Sequence, residues 1–301
     1  MIRKLVIIVL AVFLVQFSVR GEHVVFDWRA VSDTCPILDD IPCALYEVSF
    51  CYVPSRSYGD YGKSSTLEFD LDWELAYYRD VLNGDLGVSL NFSALMLTSA
   101  TQLHLPDQLV GVFVEPEWTW RYAKGRAIQI SARPGIYSDM EDLDMDMFYV
   151  PMSCRFVRAF EPRLSAYAGL EVRPGFDKVF IPLIGVKYEI NEMLVFEGGW
   201  PSIRMDYYFD RDWRTYAGLD WNNTTYSLSE KGTDDRGAIT LEDYRLYVGL
   251  SHQTSEDFLL TAEVGYVFEE SVVFAKDLED FDRKVSEGSS YFLKFGVSRS
   301  F

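Results

Sequence analysis

The sequence predicts an all-β fold, a single antiparallel transmembrane β-barrel of about fourteen strands, with twelve strands as the alternative. Three observations carry this prediction. The chain ends on an alternating apolar row, it begins with a short apolar run behind two bases, and one stretch alternates carboxylates with large apolar residues. A two-residue period of this kind places apolar and polar side chains on opposite faces of a strand.

The N-terminal residues 1–21 have the pattern of a secretory signal peptide. Arg3 and Lys4 precede the apolar run from Leu5 to Phe17, and small residues follow before Glu22. This run is too short to span a bilayer as a helix, which takes about twenty residues, and no later stretch is apolar for that length. We therefore expect residues 22–43 to form a periplasmic arm or plug and residues 44–301 to form the barrel.

Four cysteines follow the predicted signal peptide. Cys35 and Cys43 enclose a short proline-bearing segment, and export permits disulfides, so a local bridge between these two is the preferred prediction. The alternative is four free thiols, which would include Cys51 and Cys154. No CxxC or His–Cys spacing is present, so neither a metal site nor a cofactor is predicted.

The clearest single strand is the stretch from Leu67 to Tyr77. Its odd-numbered positions are mostly large and apolar, and its even-numbered positions carry Glu68, Asp70, Asp72 and Glu74. On a helix these acids would scatter around the axis, whereas on a strand all four project to one face. We expect that face to line the barrel interior.

Similar alternating stretches recur along the chain and are separated by turn signals. Short connections are predicted to face the periplasm, and longer polar ones the outside. The short connections are expected near residues 82–85, 123–125, 160–162, 190–192, 210–212 and 252–256. The long ones are expected near residues 54–63, 99–107, 138–146, 174–178, 230–238 and 277–288, with a tight hairpin at Gly198–Ser202.

The final strand is predicted to close the barrel and to act as its assembly signal. Its lipid-facing row is Tyr291, Leu293, Phe295, Val297 and Phe301. The partners that this implies are outer-membrane lipid and the barrel assembly machinery, and the predicted location is the bacterial outer membrane.

The charge of the chain argues against nucleic acid as a partner. The formal net charge is −18, and removal of residues 1–21 takes away three bases and no acids, which leaves −21.

A soluble sandwich stays open as an alternative fold. Acidic clusters in the predicted outer loops, at residues 139–146 and 277–282, could bind divalent cations, although they lack the spacing of a calcium loop.

The charged residues expected on the inner face suggest a passive pore for small solutes, because charged walls set which ions enter a pore. They are Glu68, Asp70, Asp72, Glu74, Arg133, Arg155, Glu171, Arg173, Lys187, Arg245 and Glu263. A non-conducting structural or binding barrel, sealed by salt bridges, is the main alternative. A lipid hydrolase at the rim is the third; no catalytic residues are predicted, because the adjacent Ser251 and His252 would point to opposite faces of a strand.

Several segments of the chain resemble a known family. They are LPDQLVGVFVEPEWTWRYAKGRAIQISARPGIYSDM from Leu105 to Met140, IPLIGVKYEINEMLVFEGGWPSIRMDYYF from Ile181 to Phe209, EDYRLYVGLSH from Glu242 to His252, and TAEVGYVFEESVVF from Thr261 to Phe274. The sequence resembles a family of outer-membrane β-barrels catalogued only as a domain of unknown function, over most of residues 65–301. The resemblance implies a barrel fold, and it implies no substrate or catalytic residue.

Overall fold

The computed structural model describes residues 44–57, 62–99, 105–141, 147–229, 237–255, 258–275, 281–286 and 288–300. The predicted signal peptide and arm, Cys35, Cys43, His104 and Phe301 lie outside these ranges. Within them, no helix is both long and apolar enough to cross a membrane.

Seventeen strands occupy the described ranges. They are β1 (Ala44–Ser57), β2 (Lys63–Val81), β3 (Gly84–Ser99), β4 (Gln108–Ala123), β5 (Arg126–Ala132), β6 (Gly135–Ser138), β7 (Phe148–Tyr149), β8 (Met152–Glu161), β9 (Leu164–Val172), β10 (Phe180–Asn191), β11 (Leu194–Trp200), β12 (Ser202–Tyr208), β13 (Trp213–Ser227), β14 (Ala238–Ser255), β15 (Phe258–Ala275), β16 (Phe281–Ser286) and β17 (Ser290–Ser300).

Fourteen of these strands form one closed antiparallel barrel, which confirms the predicted fold class and strand number. Each pairs with the next along the chain, and β1 pairs with β17 from Ala44–Ser300 to Tyr52–Leu293, so the sheet has no free edge at its seam of closure. The remaining three strands, β6, β7 and β16, extend the wall at one end. The fifth barrel strand is interrupted at Pro134. Before the interruption β5 pairs with β8, and after it β6 pairs with β7.

The connections sort by length onto the two ends of the barrel, as predicted. One end, here called the short-turn end, carries tight turns such as Leu82–Asn83 and Lys124–Gly125, together with the start of β1 and the end of β17. The opposite end, the long-loop end, carries the longer connections and the predicted hairpin, where Pro201 alone separates β11 from β12. Asn83 and Gly125 adopt positive φ angles of 62° and 66°, which tight turns favour and which Gly and Asn tolerate best.

The outer surface of the barrel is apolar. Large side chains that alternate along the strands are exposed on it, among them Leu75, Ile184, Leu246 and Phe295. The row predicted for the last strand is part of this surface, since Tyr291, Leu293 and Val297 are also exposed. A continuous exposed apolar surface is unfavourable in water and suits contact with lipid hydrocarbon.

The strands differ in length around the barrel. The long-strand sector comprises β1–β4, β13–β15 and β17, with strands of 11 to 19 residues. The short-strand sector comprises β5 and β8–β12, with strands of 7 to 12 residues. A tilted membrane-spanning strand needs about 9–11 residues, so the longest strands extend well beyond the apolar band at the long-loop end.

Candidate functional site

The barrel encloses a polar cavity of about 820 Å³ that reaches toward the short-turn end. Its charged lining divides into two walls. The wall formed by β1–β4 carries six acids and one base, whereas the wall formed by β8–β13 carries four bases and two acids. The acids of the first wall are Glu47, Asp72, Glu74, Asp85, Glu115 and Glu117, with the base Arg121; the second wall carries Arg155, Lys187, Arg204 and Arg214, with Glu197 and Asp206.

The acidic wall is built by register as well as by composition. Glu47 on β1 lies directly opposite Asp72 on β2, and Glu74 and Glu115 flank the small Ser89 of β3 from its two sides. Asp72 interacts electrostatically with Glu115, Glu47 and Glu74. Like charges at facing positions repel one another, so this wall holds a negative potential that a cation would relieve.

The basic wall is stiffened by hydrogen bonds and ring contacts. The Arg204 guanidinium donates to both carboxylate oxygens of Asp206, at 3.0 and 3.1 Å, and lies 4.0 Å from the centroid of the Tyr216 ring. Arg214 reaches Asp206 at 3.5 Å. On the neighbouring side, Arg155 meets Glu117 at 3.4 Å, with about a third of each side chain exposed.

A second, smaller cavity of about 230 Å³ adjoins the first, and Glu263 and Lys294 line both. Its dominant feature is Arg245, which is held between two carboxylates. The guanidinium donates to both oxygens of Glu68 at 2.6 Å and to Asp243 at 2.8 to 3.2 Å. Buried ions need partners of this geometry to offset their lost hydration, so this triad ties β2 to β14 across the lumen.

Four aromatic side chains fill the lumen beside glycines on the neighbouring strand. Tyr216 faces Gly249 and Tyr247 faces Gly218, and both pairs are register partners of β13 and β14. Phe292 likewise covers Gly265, and Tyr167 covers Gly185. A Cβ built on any of these glycines would lie 2.2 to 2.6 Å from a ring atom. The rings therefore occupy space that a side chain on the partner glycine would fill.

A cluster of buried apolar side chains, here called the outer apolar cluster, lies at the long-loop end of the barrel. Its members come from the long strands, from β6, β7 and β16, and from connections at that end. They are Leu97, Leu105, Leu109, Tyr137, Tyr149, Phe176, Tyr226, Leu228, Ile239, Val272, Phe274 and Val285. All are at most 9% exposed. The smaller cavity meets this cluster, because Leu97 and Tyr226 belong to both.

Eight of the eleven residues predicted to line the lumen line one or both of the cavities. Asp72, Glu74, Arg155 and Lys187 line the larger cavity, Glu68, Asp70 and Arg245 line the smaller one, and Glu263 lines both. The other three lie outside both linings. Arg133 pairs with Glu171, and Arg173 is buried, donating to the carbonyl oxygen and side-chain oxygen of Asn223 at 2.6 and 2.8 Å.

Many lumen-facing residues were not singled out from the sequence, although the two-residue alternation marks some of them. Glu115 and Glu117 alternate with exposed Val114 and half-buried Pro116 along β4, so the same reasoning applied there would have identified them. Tyr77 could not be found in this way. A bulge between Glu74 and Ala76 shifts the alternation of β2 and turns this tyrosine into the larger cavity.

The predicted cysteine, cation and catalytic sites lie only partly within the described residues. Of the four cysteines, Cys51 is a buried free thiol and Cys154 an exposed one. In the part of the chain that the structure describes, no group of three or more His, Cys, Asp or Glu side chains could hold a metal ion. Of the expected cation sites at residues 139–146 and 277–282, residues 142–146 and 277–280 lie outside it, so both sites stay predictions. Ser251 accepts a hydrogen bond from Arg214 on the inner face, whereas the His252 ring stacks on Trp213, so the two form no catalytic pair.

Comparison with solved structures finds membrane channels at low identity. The chain is 14% identical to a KdgM porin, with 85% of this chain and 99% of that one covered and a TM-score of 0.35. It is 10% identical to a NanC porin, with coverages of 85% and 100% and a TM-score of 0.41. It is 11% identical to an outer membrane channel from Pseudomonas putida F1, with coverages of 87% and 97% and a TM-score of 0.44.

Comparison with curated proteins finds no match. A family model described as a domain of unknown function, DUF6268, matches residues 84–297. The match covers more than half of the chain and runs from β3 into β17, which agrees with the resemblance seen in the sequence. The chain therefore belongs to the family DUF6268.

Proposed function

We propose that the protein is a channel of the bacterial outer membrane that passes small cationic solutes through its lumen. The apolar exterior and the predicted signal peptide support the location, and we assign the short-turn end to the periplasm. The observation that carries the function is the acidic wall of the larger cavity, where Glu47, Asp72, Glu74 and Glu115 line a space of about 820 Å³.

A carboxylate wall of this kind would raise the local concentration of cations and repel anions. The basic wall opposite is partly neutralised, because Arg204 and Arg214 both contact Asp206. The acidic wall therefore carries more negative charge than the basic wall carries positive charge, and the cavity as a whole has a negative potential. A small solute carrying positive charge would therefore be favoured over an anion of the same size.

The test is single-channel conductance of the refolded protein in planar bilayers, with reversal potentials measured in a salt gradient. We expect discrete steps with a cation preference that falls about two- to fivefold when Asp72→Asn and Glu115→Gln are combined, because two charges leave the wall. Glu161→Gln is the matched control, since it removes one carboxylate that is exposed beside a short turn. An unchanged preference in the double variant, or a correctly folded barrel without current, would contradict the proposal.

A non-conducting binding barrel is the second candidate, and the outer apolar cluster favours it. Twelve buried apolar side chains occupy the long-loop end of the lumen. In a binding barrel this cluster would be a permanent end wall, and solutes would enter and leave from the short-turn end. Silence in bilayers, combined with saturable binding of a small organic cation to the folded barrel, would select this candidate.

A further inference from the structure

The acidic and basic walls of the larger cavity lie on opposite sides of the barrel. The closed circle contains fourteen strands, so strands that are seven places apart face each other across the lumen. Counted along the pairings, β1 faces β10, β2 faces β11, β3 faces β12 and β4 faces β13. The acids of β1–β4 therefore face the strands that carry Lys187, Arg204 and Arg214. A solute in this cavity lies between opposite charges, which orient its own charged groups.

The acidic wall holds carboxylates that are grouped with one another. The base of this wall, Arg121, is bonded to Asp85. By contrast, the charged groups that act on Asp72 within the described residues are all acids. They are Glu47, Glu74 and Glu115. An ammonium group placed among these side chains would relieve their mutual repulsion, and it could donate up to about three hydrogen bonds to them.

The basic wall has guanidinium donors that its own carboxylates do not use. Arg204 donates to Asp206 through Nε and Nη2, and Arg214 donates through Nε to the Ser251 hydroxyl at 3.0 Å. Nη1 of Arg214 lies 3.5 Å from the same Asp206. Two guanidiniums thus share one carboxylate, and neither Arg204 Nη1 nor Arg214 Nη2 donates a hydrogen bond to a described residue. The two arginine side chains are 32% and 26% exposed, so a carboxylate in the cavity can reach them.

The size and the total charge of the cavity limit the solute. Its volume of about 820 Å³ lies within the range of roughly 300–1,000 Å³ that small-molecule sites occupy. Nine acids and six bases are among its described lining residues, so a solute with more positive than negative groups fits best. A plain cation would leave the guanidinium donors without a partner, and a plain anion would be repelled by the acidic wall. A solute with ammonium groups and a carboxylate satisfies both walls.

We infer that the solute is a basic amino acid or a short basic peptide, whose ammonium groups bind the acidic wall and whose carboxylate binds Arg204 and Arg214. This inference rests on the proposed function and names the substrate class of the same cavity. Simple cation selectivity would have a different consequence. Selectivity for positive charge alone favours the solute of highest charge, whereas two opposed walls favour the solute that keeps its carboxylate.

The test compares L-lysine with L-lysinamide, which has the same two amines but lacks the negative charge. At pH 6 both amines of each probe are protonated. One readout is the probe concentration that halves the ion current through single channels in planar bilayers. The other is the dissociation constant from calorimetric titration of the folded barrel in detergent. We expect L-lysine to bind about tenfold tighter than L-lysinamide in both, because guanidinium and carboxylate form charge-assisted hydrogen bonds.

Two variants locate the preference on the basic wall. Lys187→Gln combined with Arg214→Gln removes two bases from that wall and leaves Asp206 bonded to Arg204. We expect this double variant to lose the preference for L-lysine and to keep its preference for cations over chloride. The matched control is Arg163→Gln, because Arg163 is exposed at a short turn and lies outside the cavity lining. The control should bind the two probes in the wild-type ratio.

The outcomes separate the substrate class from the channel. A cation-selective current with L-lysinamide bound as tightly as L-lysine, or more tightly, overturns the substrate class and leaves the channel standing. A preference for L-lysine that persists in the double variant overturns the assignment to the basic wall. A calorimetric preference for L-lysine in a barrel that never conducts supports the site and overturns the channel. Heat-modifiable migration shows that each variant is folded, and if the double variant does not fold, the two probes on the wild-type protein decide the question.

Discussion

The long-strand and short-strand sectors differ in how far their strands extend along the barrel. Strands of the short sector are 7 to 12 residues long, close to the length that crosses a bilayer at a tilt. Strands of the long sector, such as β2 and β14, reach 19 and 18 residues and exceed that length. The contrast shows that the long barrel strands, and not the short ones, supply residues to the outer apolar cluster.

The chemistry of the two sectors differs in the same way. The long sector contains the Glu68–Arg245–Asp243 triad, whose side chains are 10 to 17% exposed. The short sector and its border contain the Arg155–Glu117 pair, whose side chains are 33 to 35% exposed. Ion pairs that water can reach are screened and contribute little, whereas a broken buried pair leaves a charge without compensation.

The largest expected effect therefore separates these two arginines. Arg245→Met should lower the free energy of unfolding by about 3–5 kcal/mol, because Glu68 and Asp243 would be left buried without their partner. Arg155→Met, its counterpart in the short sector, should cost about 1 kcal/mol or less. Urea-induced unfolding in lipid vesicles measures both. Equal losses in the two variants would refute the contrast between the sectors.

The next effect concerns the outer apolar cluster. Ile239 is fully buried in the cluster, so Ile239→Ala should lower the free energy of unfolding by about 2–5 kcal/mol through lost contacts and a new cavity. Leu246→Ala, on the same strand but exposed on the lipid-facing surface, should cost less because it opens no internal space. The same unfolding experiment compares the two. A larger loss for Leu246→Ala would contradict a packed core at this end.

The smallest effect tests the aromatic–glycine pairs. A Cβ on Gly249 would lie 2.2 Å from the Tyr216 ring, so Gly249→Ala should cost about 1–3 kcal/mol by overpacking. Gly87→Ala is the control, since its Cβ would lie 3.8 Å from Tyr77, an ordinary contact. Thermal unfolding followed by heat-modifiable migration distinguishes them. If both substitutions were neutral, the ring of Tyr216 would not depend on the missing side chain.

Much of the fold could be predicted because its signals are local. The alternation of Leu67, Phe69 and Leu71 with acids, and turns such as Asn83–Gly84, depend only on neighbours in the chain. Such signals predicted fourteen barrel strands and assigned their connections to the two ends of the barrel. They do not place Tyr77 on either face, because a single bulged residue reverses the alternation before it.

The site could be predicted only in part, for a different reason. Alternation identifies an inward side chain but not its partner, and Arg245 meets Glu68 across 177 residues of sequence. Alternation also cannot show that inward apolar residues on different strands pack together in one cluster. Leu97, Leu109 and Ile239 occupy ordinary strand positions, and only their convergence at the long-loop end makes them one cluster.

The sequence by itself determined that this chain forms a membrane-type barrel, because a two-residue period and turn chemistry act within a few residues. The tertiary structure alone decided which charges meet and which apolar side chains gather at the long-loop end. Those features depend on strand length and register around a closed circle, where residues far apart in the chain are brought opposite one another.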